Sequence, residues 1–362
     1  GPLGQMMAKE CPVHSELLGG KYDWRVLGRL VKLIKRRRTD AVVTVGAGDK
    51  MFWGRLAARV AGVPVVLSAL HSTGWPDGVG RLNRLLTRWT DSFIAVAQDH
   101  GKFLVDYERF PAEKVAVIPN GVDTNTFRSD QHTRESVRKK WDVPSDTPLF
   151  GIVAALRPEK NHLMFLRSAA LIRNAIPNAR FWIVGDGVER EKLELAIRSA
   201  ALTDHVRLLG TRDDIPHLLA AMDVFVLSSL NEANPVSILE AMSTGLPIIA
   251  TQVGSVSETV KEGVTGYLVE SGNAEQMARR GVQLAADLQR ARCFGAVGRR
   301  DVVDSWSLER MVRGYESLIE TTYRRKVAGT SHKSVSPENC VTPLALPEEP
   351  AQTTETISGS NR

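Results

Sequence analysis

Short apolar runs typical of strands alternate with amphipathic helical stretches along most of this chain. In the first half the apolar runs lie at 41–45, 63–68, 92–96 and 115–118. After a polar, charged stretch at 129–146, further runs follow at 149–154, 180–184, 206–209, 223–227 and 246–250. Strands that alternate with helices form parallel sheets covered on both faces. The sequence therefore predicts an α/β fold with two Rossmann-like, doubly wound domains that face each other across a cleft.

Composition agrees with two domains of ordinary size. The chain has 362 residues, of which 43% are hydrophobic and 24% charged, so it can bury two cores. We predict an N-terminal domain at 1–127, a C-terminal domain at 128–306 and a terminal helix at 307–327. Residues 328–362 are rich in Ser, Thr, Pro and Glu and have almost no periodic apolar residues. We predict a disordered tail there.

Cysteine usage and hydropathy narrow the class of protein. Cys11, Cys293 and Cys340 are far apart and no C-x-x-C pair occurs, so neither a disulfide framework nor a zinc site is expected. No apolar run approaches the roughly 18 residues of a membrane span, and no signal peptide is visible. We expect a cytoplasmic protein, at most peripheral at the inner membrane face.

The helix predicted at 24–34 has an apolar face and a basic end. Trp24 lies on the apolar face at helical spacing, so we expect it in the core. The basic residues at the other end are Arg29, Lys32, Lys35, Arg36, Arg37 and Arg38. Basic side chains stabilise the negative carboxyl end of a helix; alternatively, the Arg29–Arg38 region contacts an anionic membrane or an acidic acceptor. Nucleic acid is not expected, because no recognised binding motif occurs.

The segment 229–247 carries the clearest chemical signal, two glutamates eight residues apart. Glu232 closes a loop after a predicted strand, and Glu240 lies on the helix that follows. Pro235 suits the first helical turn, so the free amides of Val236 and Ser237 would point out of the positive helix end. Such an end binds phosphate, and carboxylates accept hydrogen bonds from sugar and ribose hydroxyls. The segment therefore predicts a site for a nucleotide-sugar.

This E-x7-E segment resembles that of the retaining glycosyltransferases of the GT-B fold, especially family 4, and the resemblance extends over about 18–323. It implies transfer of a sugar from a nucleoside-diphosphate sugar to a hydroxyl acceptor, which is a glycan, a lipid-linked molecule or a small molecule. It also implies that Glu232 contacts sugar hydroxyls, that Glu240 contacts the ribose, and that the terminal helix packs back on the first domain.

Other segments match the donor side of that family. In Ala155-Leu-Arg-Pro-Glu-Lys-Asn161, Arg157 and Lys160 match the residues that clamp the donor diphosphate, where their charges would offset those of the phosphates. The loop 210–216 matches the one near the base, and it implies that backbone atoms of Thr211 and Arg212 are recruited.

Further matches concern the glycine turn, the domain junction and the first domain. Gly185 and Gly187 resemble the donor-side turn, although we treat them as mainly structural because a strand-to-helix turn often needs glycine. The segment 117–123, Val-Ile-Pro-Asn-Gly-Val-Asp, is characteristic of the family and is expected to organise the domain junction. His71 follows a strand where relatives place a histidine beside the reacting sugar, so it would bind a hydroxyl or steady the developing charge.

The chain departs from the family pattern in two places. Many relatives read Glu-Gly-Phe-Gly where this chain has Glu232-Ala-Asn-Pro235, so the donor pocket is expected to differ in detail. The first residues resemble a segment that follows the second strand in the family. Either the opening elements are missing, or Gly-Pro-Leu-Gly is a tag remnant.

No Asp-x-Asp pair or His cluster offers a metal site, so we expect transfer without a protein-bound metal or other cofactor. Arg157, Lys160 and helix amides would stabilise the leaving nucleoside diphosphate instead. Two alternatives remain open at this point. One is a nucleotide-sugar epimerase of the same fold, and the other is a catalytically impaired nucleotide-sugar-binding or scaffold protein.

Overall fold

The computed structural model describes residues 7–15, 17, 19, 23–46, 49–71, 84–327 and 342–343. The first domain contains a parallel sheet in the order β1-β2-β3-β4. Its strands and helices are β1 (Ala41–Val45), β2 (Val65–Ala69), β3 (Ser92–Ala95), β4 (Val115–Val117), α1 (Val26–Arg37), α2 (Asp49–Ala61) and α3 (Gln98–Asp106).

The second domain has a parallel sheet in the order β10-β9-β8-β5-β6-β7. The strands are β5 (Leu149–Val153), β6 (Arg180–Val184), β7 (Val206–Gly210), β8 (Val224–Leu227), β9 (Ile248–Thr251) and β10 (Gly266–Val269). The helices are α4 (Gln131–Lys140), α5 (His162–Ala175), α6 (Arg190–Ser199), α7 (Ile215–Ala221), α8 (Val236–Ser243), α9 (Val256–Thr259), α10 (Ala274–Ala286) and α11 (Leu288–Ser305). Because the strand order reverses between β5 and β8, the predicted doubly wound topology is confirmed.

The alternation of side chains along β3 shows how the first sheet is covered on both faces. Phe93 packs with residues of α3, and the Arg55 guanidinium of α2 lies 5.6 Å from its ring centroid. Ile94 points to the opposite face. That face is covered by the terminal helix α12 (Leu308–Val327), whose apolar contacts come from Met311, Tyr315, Leu318, Ile319 and Tyr323. The terminal helix therefore packs on the first domain in this structure.

Three local features differ from the predictions. Trp24 is 72% exposed, and the expectation that it is in the core is wrong because α1 begins only at Val26. The strand β10 was not predicted from the sequence. Thr342 and Pro343 pair with the edge of β4 although they fall in the tail predicted to be disordered. An edge strand offers unpaired backbone groups to such a segment; the rest of the tail lies outside the described residues.

Hydrogen bonds between described residues join the two domains. Asn120, in the segment 117–123, donates from Nδ2 to the carbonyl oxygen of Asn234 at 2.8 Å. The carboxylate of Glu258 accepts from the backbone N–H groups of Gln98 at 2.9 Å and Asp99 at 2.8 Å, and so caps α3 from the other domain. Val122 N–H donates to Trp306 at 3.0 Å. The predicted location of 117–123 at the domain junction is confirmed.

Among the described helices, none is both long enough and apolar enough to cross a membrane.

Candidate functional site

The loops that follow β5 and β8 meet because these strands are neighbours while their helices leave on opposite faces of the sheet. Leu230 N–H donates to the carbonyl oxygen of Glu159 at 2.8 Å. The Ser228 hydroxyl donates to the carbonyl oxygens of Lys160 and Asn161, each at 3.0 Å. The sheet topology thus brings together two motifs that lie about seventy residues apart in the sequence.

Lys160 and Glu232 form an ion pair at this junction. Lys160 Nζ lies 2.5 Å from Glu232 Oε1, and the Ser229 hydroxyl donates to the same oxygen at 2.6 Å. The Glu232 side chain is 8% exposed and that of Lys160 is 23% exposed. No described residue donates to the second carboxylate oxygen of Glu232, and an ammonium group has further N–H donors. The pair can therefore offer both an acceptor and a donor to a bound ligand.

The first turn of α8 supplies further donors beside this pair. The helix begins at Val236, with Pro235 in an extended conformation at the N-cap (φ −72°, ψ 112°). The sequence predicted Pro235 inside the first turn of the helix. Its ψ angle is not helical, so Pro235 instead occupies the N-cap, one residue before the helix. The amides of Val236 and Ser237 have no acceptor among the described residues, as the first amides of a helix require. These two amides can therefore bind a phosphate group.

Arg157 lies at the start of the short 3-10 turn Pro158–Lys160. Its side chain is 66% exposed, and its nearest carboxylate, that of Glu159, is 3.9 Å away. A contact this long at the surface holds the guanidinium weakly. Arg157 is thus able to turn toward an anionic ligand near Lys160.

The glycine turn after β6 supports the loop that carries Arg157. Gly185 and Gly187 have φ angles of +140° and +158°. A Cβ atom would lie 2.0 Å from the Ala154 carbonyl oxygen at the first glycine and 2.5 Å from that of Leu156 at the second. Side chains are therefore excluded at both positions. This steric requirement supports the expectation that the turn is mainly structural.

Glu240 is half-buried on α8 between the buried side chains of Leu239 and Ala241. Burial raises the pKa of its carboxyl group to about 7. Within the described part of the chain, no donor bonds this carboxyl group, although a buried polar group normally requires a partner. A ligand hydroxyl would supply the missing donor.

We expect that replacing Glu240 with glutamine stabilises the ligand-free protein above pH 7. The folded-state pKa is raised, so the wild type should lose stability as pH rises from about 4.5 to about 7. Because glutamine cannot ionise, the stability of the variant should not show this decrease with pH. The Tm should rise by about 2–4 °C for each kcal/mol recovered.

Melting curves from pH 5 to pH 8 would measure this difference, with exposed Glu275 on α10 changed to glutamine as the control. Parallel curves for the wild type and Glu240→Gln would contradict the burial argument. The same variant should bind nucleotide more weakly, because the glutamine amide has one uncharged acceptor oxygen where the carboxylate offers two to the ribose.

Thr211 and Arg212 follow β7, but the Arg212 side chain is already engaged. It donates from Nε to Asp214 Oδ1 at 2.8 Å and from Nη2 to Oδ2 at 2.6 Å. The hydrogen bond from Arg212 lowers the pKa of the Asp214 carboxyl. These contacts leave the backbone of the loop, rather than the guanidinium, for a base.

His71 lies beyond the carboxyl end of β2 and is exposed, yet desolvation lowers the pKa of its ring. Exposure and a lowered pKa are compatible if one side of the ring faces water and the other side packs against protein atoms. Among the described residues, no hydrogen bond or ion pair joins His71 to Lys160 or Glu232. Its role beside the sugar stays a prediction, and its neighbours at 72–83 lie outside the described residues.

Two supporting residues were not predicted from the sequence. Ser229 bonds Glu232, as described above. Gly254 (φ +51°) follows β9, and a Cβ atom there would lie 1.8 Å from the Glu232 carbonyl oxygen. A lone glycine after a strand is too common to signal such a contact. Elsewhere among the described residues, no group of three or more His, Cys, Asp or Glu is placed to hold a metal ion.

Comparison with known proteins gives two family matches that together span most of the chain. Residues 133–300 match the family described as glycosyl transferases group 1, and residues 10–126 match glycosyltransferase family 4. A galactosyltransferase of Escherichia coli is 33% identical over 276 residues, which cover 73% of this chain and 71% of the relative. Its name gives UDP-Gal as donor and α-D-GlcNAc-diphosphoundecaprenol as acceptor. A phosphatidylinositol monomannoside mannosyltransferase of Mycobacterium tuberculosis, described as GDP-mannose-dependent, is 29% identical over 69% of this chain and 68% of its own.

Solved structures show the same fold. A glycosyltransferase from Rickettsia africae superposes with a TM-score of 0.79 at 23% identity, covering 90% of this chain and 89% of its own. An Anabaena protein in complex with UDP and glucose superposes with a TM-score of 0.80 at 21% identity, covering 89% of each chain. With the family matches, these likenesses establish that the chain belongs to the group 1 glycosyltransferases of family 4 and has the GT-B fold.

Proposed function

We propose that this glycosyltransferase moves a hexosyl group from a nucleoside-diphosphate sugar to a hydroxyl acceptor with retention at the anomeric carbon. The observation that carries the proposal is the Lys160–Glu232 pair, 2.5 Å apart, directly before the free amides of α8. Cationic and amide donors suit a diphosphate, and a nearly buried carboxylate suits sugar hydroxyls. A glycosidase would need paired carboxylates around the scissile bond instead.

The site residues have separate roles in this proposal. Lys160 and Arg157 hold the diphosphate and offset the charge that grows on it as the bond to the sugar breaks. The amides of Val236 and Ser237 bind the same phosphates. The acceptor hydroxyl attacks the anomeric carbon on the same face from which the leaving group departs. The proton of that hydroxyl passes to the phosphate oxygen of the leaving group.

The remaining residues position the two ends of the donor. Glu232 accepts hydrogen bonds from sugar hydroxyls through its free oxygen, and Glu240 accepts them from the ribose. The backbone of Thr211 and Arg212 contacts the base. His71 approaches the sugar from the first domain. No protein-bound metal takes part, since the cationic side chains and the amides carry the neutralisation.

The names of the relatives narrow the substrates to be tried. UDP-Gal and GDP-mannose occur in the names of two relatives, and both named acceptors are lipid-linked. We propose a lipid-linked or glycan hydroxyl as the acceptor, which would place the enzyme in glycolipid or polysaccharide biosynthesis. UDP-sugars are the first donors to test, because the Escherichia coli relative is the more similar of the two.

A thermal shift screen with UDP, GDP, ADP and their common sugars tests donor binding before any acceptor is known. A ligand at one hundred times its Kd should stabilise the native state by about 2.7 kcal/mol. Turnover with that donor should persist in EDTA, and proton NMR of the product should show the donor's anomeric configuration. An inverted product, or turnover that EDTA abolishes, would contradict the mechanism; no shift with any nucleotide would contradict the donor site itself.

A further inference from the structure

A cavity of about 690 Å³ opens in the first domain, at a place separate from the loops after β5 and β8. Its apolar lining consists of Phe52, Leu56, Leu85, Leu86, Trp89 and Pro111. Leu85 is 66% exposed at its mouth. Cavities of this volume accommodate small ligands, and an apolar lining favours an apolar chain.

Cationic side chains line the same cavity. They are Arg84, Arg88 and Lys114. The Arg88 guanidinium lies 4.4 Å from the centroid of the Trp89 ring. Both Arg84 and Arg88 are exposed, and no described carboxylate forms an ion pair with either. Lys114 Nζ donates to the carbonyl oxygens of Thr87 and Thr90, each at 2.9 Å, and fixes the segment that carries the two arginines.

The basic end of α1 belongs to the same edge of the domain. Residues 35–38 come directly before β1, as Arg84 and Arg88 come before β3, and the amino ends of parallel strands lie on one edge. The end of α12 reaches this edge too, since Lys326 Nζ donates to the carbonyl oxygen of Pro64 at 2.7 Å; it brings exposed Arg325. The helix dipole explains basic residues at the ends of α1 and α12. Arg84 and Leu85 are also helical and Leu86 is not, so Arg84 lies near a helix end as well, whereas Arg88 lies beyond it in the 3-10 turn Thr87–Trp89.

We propose that this face of the first domain docks on a membrane surface rich in anionic lipid. The cationic rim binds phosphate headgroups, and the cavity takes up part of an apolar chain. A soluble polyanion would use the cations but would leave the apolar lining without a role. Phe52 lies in the first turn of α2, toward the carboxyl edge of the sheet, so the cavity runs from the basic edge toward the side where the candidate site lies.

Vesicle co-sedimentation of the full chain tests the proposal independently of the donor site. The wild type should bind vesicles of phosphatidylcholine with phosphatidylglycerol and leave pure phosphatidylcholine vesicles in solution. Each lost cation should weaken binding about fivefold, so Arg84→Ala/Arg88→Ala should weaken it about thirtyfold. Leu85→Ser should keep the salt-sensitive attraction but lose the binding that persists at high salt, because it removes only apolar surface.

The control is Arg292→Ala/Arg300→Ala, which removes the same charge from exposed positions on α11 of the other domain. This variant should bind vesicles like the wild type. All variants should keep the wild-type thermal midpoint, since every substituted side chain is exposed. Equal binding to both kinds of vesicle, an equal loss in the control, or competition by heparin with no effect of Leu85→Ser would overturn the proposal.

Discussion

Replacing Lys160 with alanine is expected to lower kcat by about two to three orders of magnitude. Lys160 is the cation nearest Glu232, at 2.5 Å, and in the proposed mechanism it offsets charge that develops on the leaving diphosphate. Removing one preorganised donor to such a charge costs about 10²–10³-fold in kcat. Donor binding should weaken less than kcat, because the stabilisation is greatest in the transition state.

The same substitution leaves the nearly buried Glu232 without its cation. We expect a loss of stability of about 1–3 kcal/mol, below the cost for a fully buried pair because water reaches Lys160. Adding Glu232→Gln should recover that stability without restoring activity, since glutamine is neutral. Denaturant unfolding of the single and double variants measures the stability, and steady-state kinetics with the donor that supports turnover measures the activity.

Lys192→Ala is the matched control, because Lys192 pairs with Glu189 at 3.0 Å on the surface of the same domain. Exposed pairs contribute little, so this variant should keep kcat within about twofold of the wild type. If Lys160→Ala changed KM alone, or if both lysine variants lost the same activity, Lys160 would not stabilise the leaving group.

Much of the fold follows from local patterns, and the strands show why. The runs predicted at 41–45 and 180–184 coincide with β1 and β6. In β6 the four residues after Arg180 are apolar and buried, as is typical of a strand covered on both faces of a parallel sheet. Trp24 shows the limit of this approach. The helical spacing of apolar residues extends back to Trp24, but the helix begins only at Val26. Periodicity gives the type of an element better than its ends.

The sequence predicted those site residues whose positions follow from the order of the strands. It did not predict the contacts that come from backbone far away in the sequence. Lys160 and Glu232 each follow a strand at the point where the strand order reverses, so topology alone brings them near each other. Their supports come from elsewhere in the chain. Gly254 lies against the Glu232 carbonyl oxygen just after β9, and Ser255 N–H donates to the same oxygen at 3.3 Å. Neither contact leaves a pattern in the local sequence.

The loop after β8, which carries Glu232, also contacts the first domain. Asn120 holds the carbonyl of Asn234 at 2.8 Å, two residues from Glu232, and Glu258 lies four residues after Gly254. The loop that carries Glu232 is thus fixed by its own domain on one side and by the first domain on the other. A change in its backbone should therefore affect the donor side and the domain junction together.

Replacing Gly254 with alanine tests how strictly that loop is held. Its φ of +51° alone would cost alanine about 1–2 kcal/mol. The added Cβ atom would also lie 1.8 Å from the Glu232 carbonyl oxygen, so the loop must move. A displacement of about 1 Å in a catalytic group can cost about 10²-fold, and we expect a loss of at least that size in kcat/KM.

Gly263→Ala separates the steric effect from the conformational one. Gly263 has a similar φ of +70°, with no atom within 4 Å of an added Cβ. This control should lower the Tm by about 2–8 °C, from the backbone cost alone, and keep its turnover. Melting curves and donor kinetics of both variants would make the comparison. Equal turnover in the two would mean that the loop yields without cost or that Glu232 does not contact the sugar, whereas a loss confined to Gly254→Ala would tie the position of Glu232 to sugar transfer.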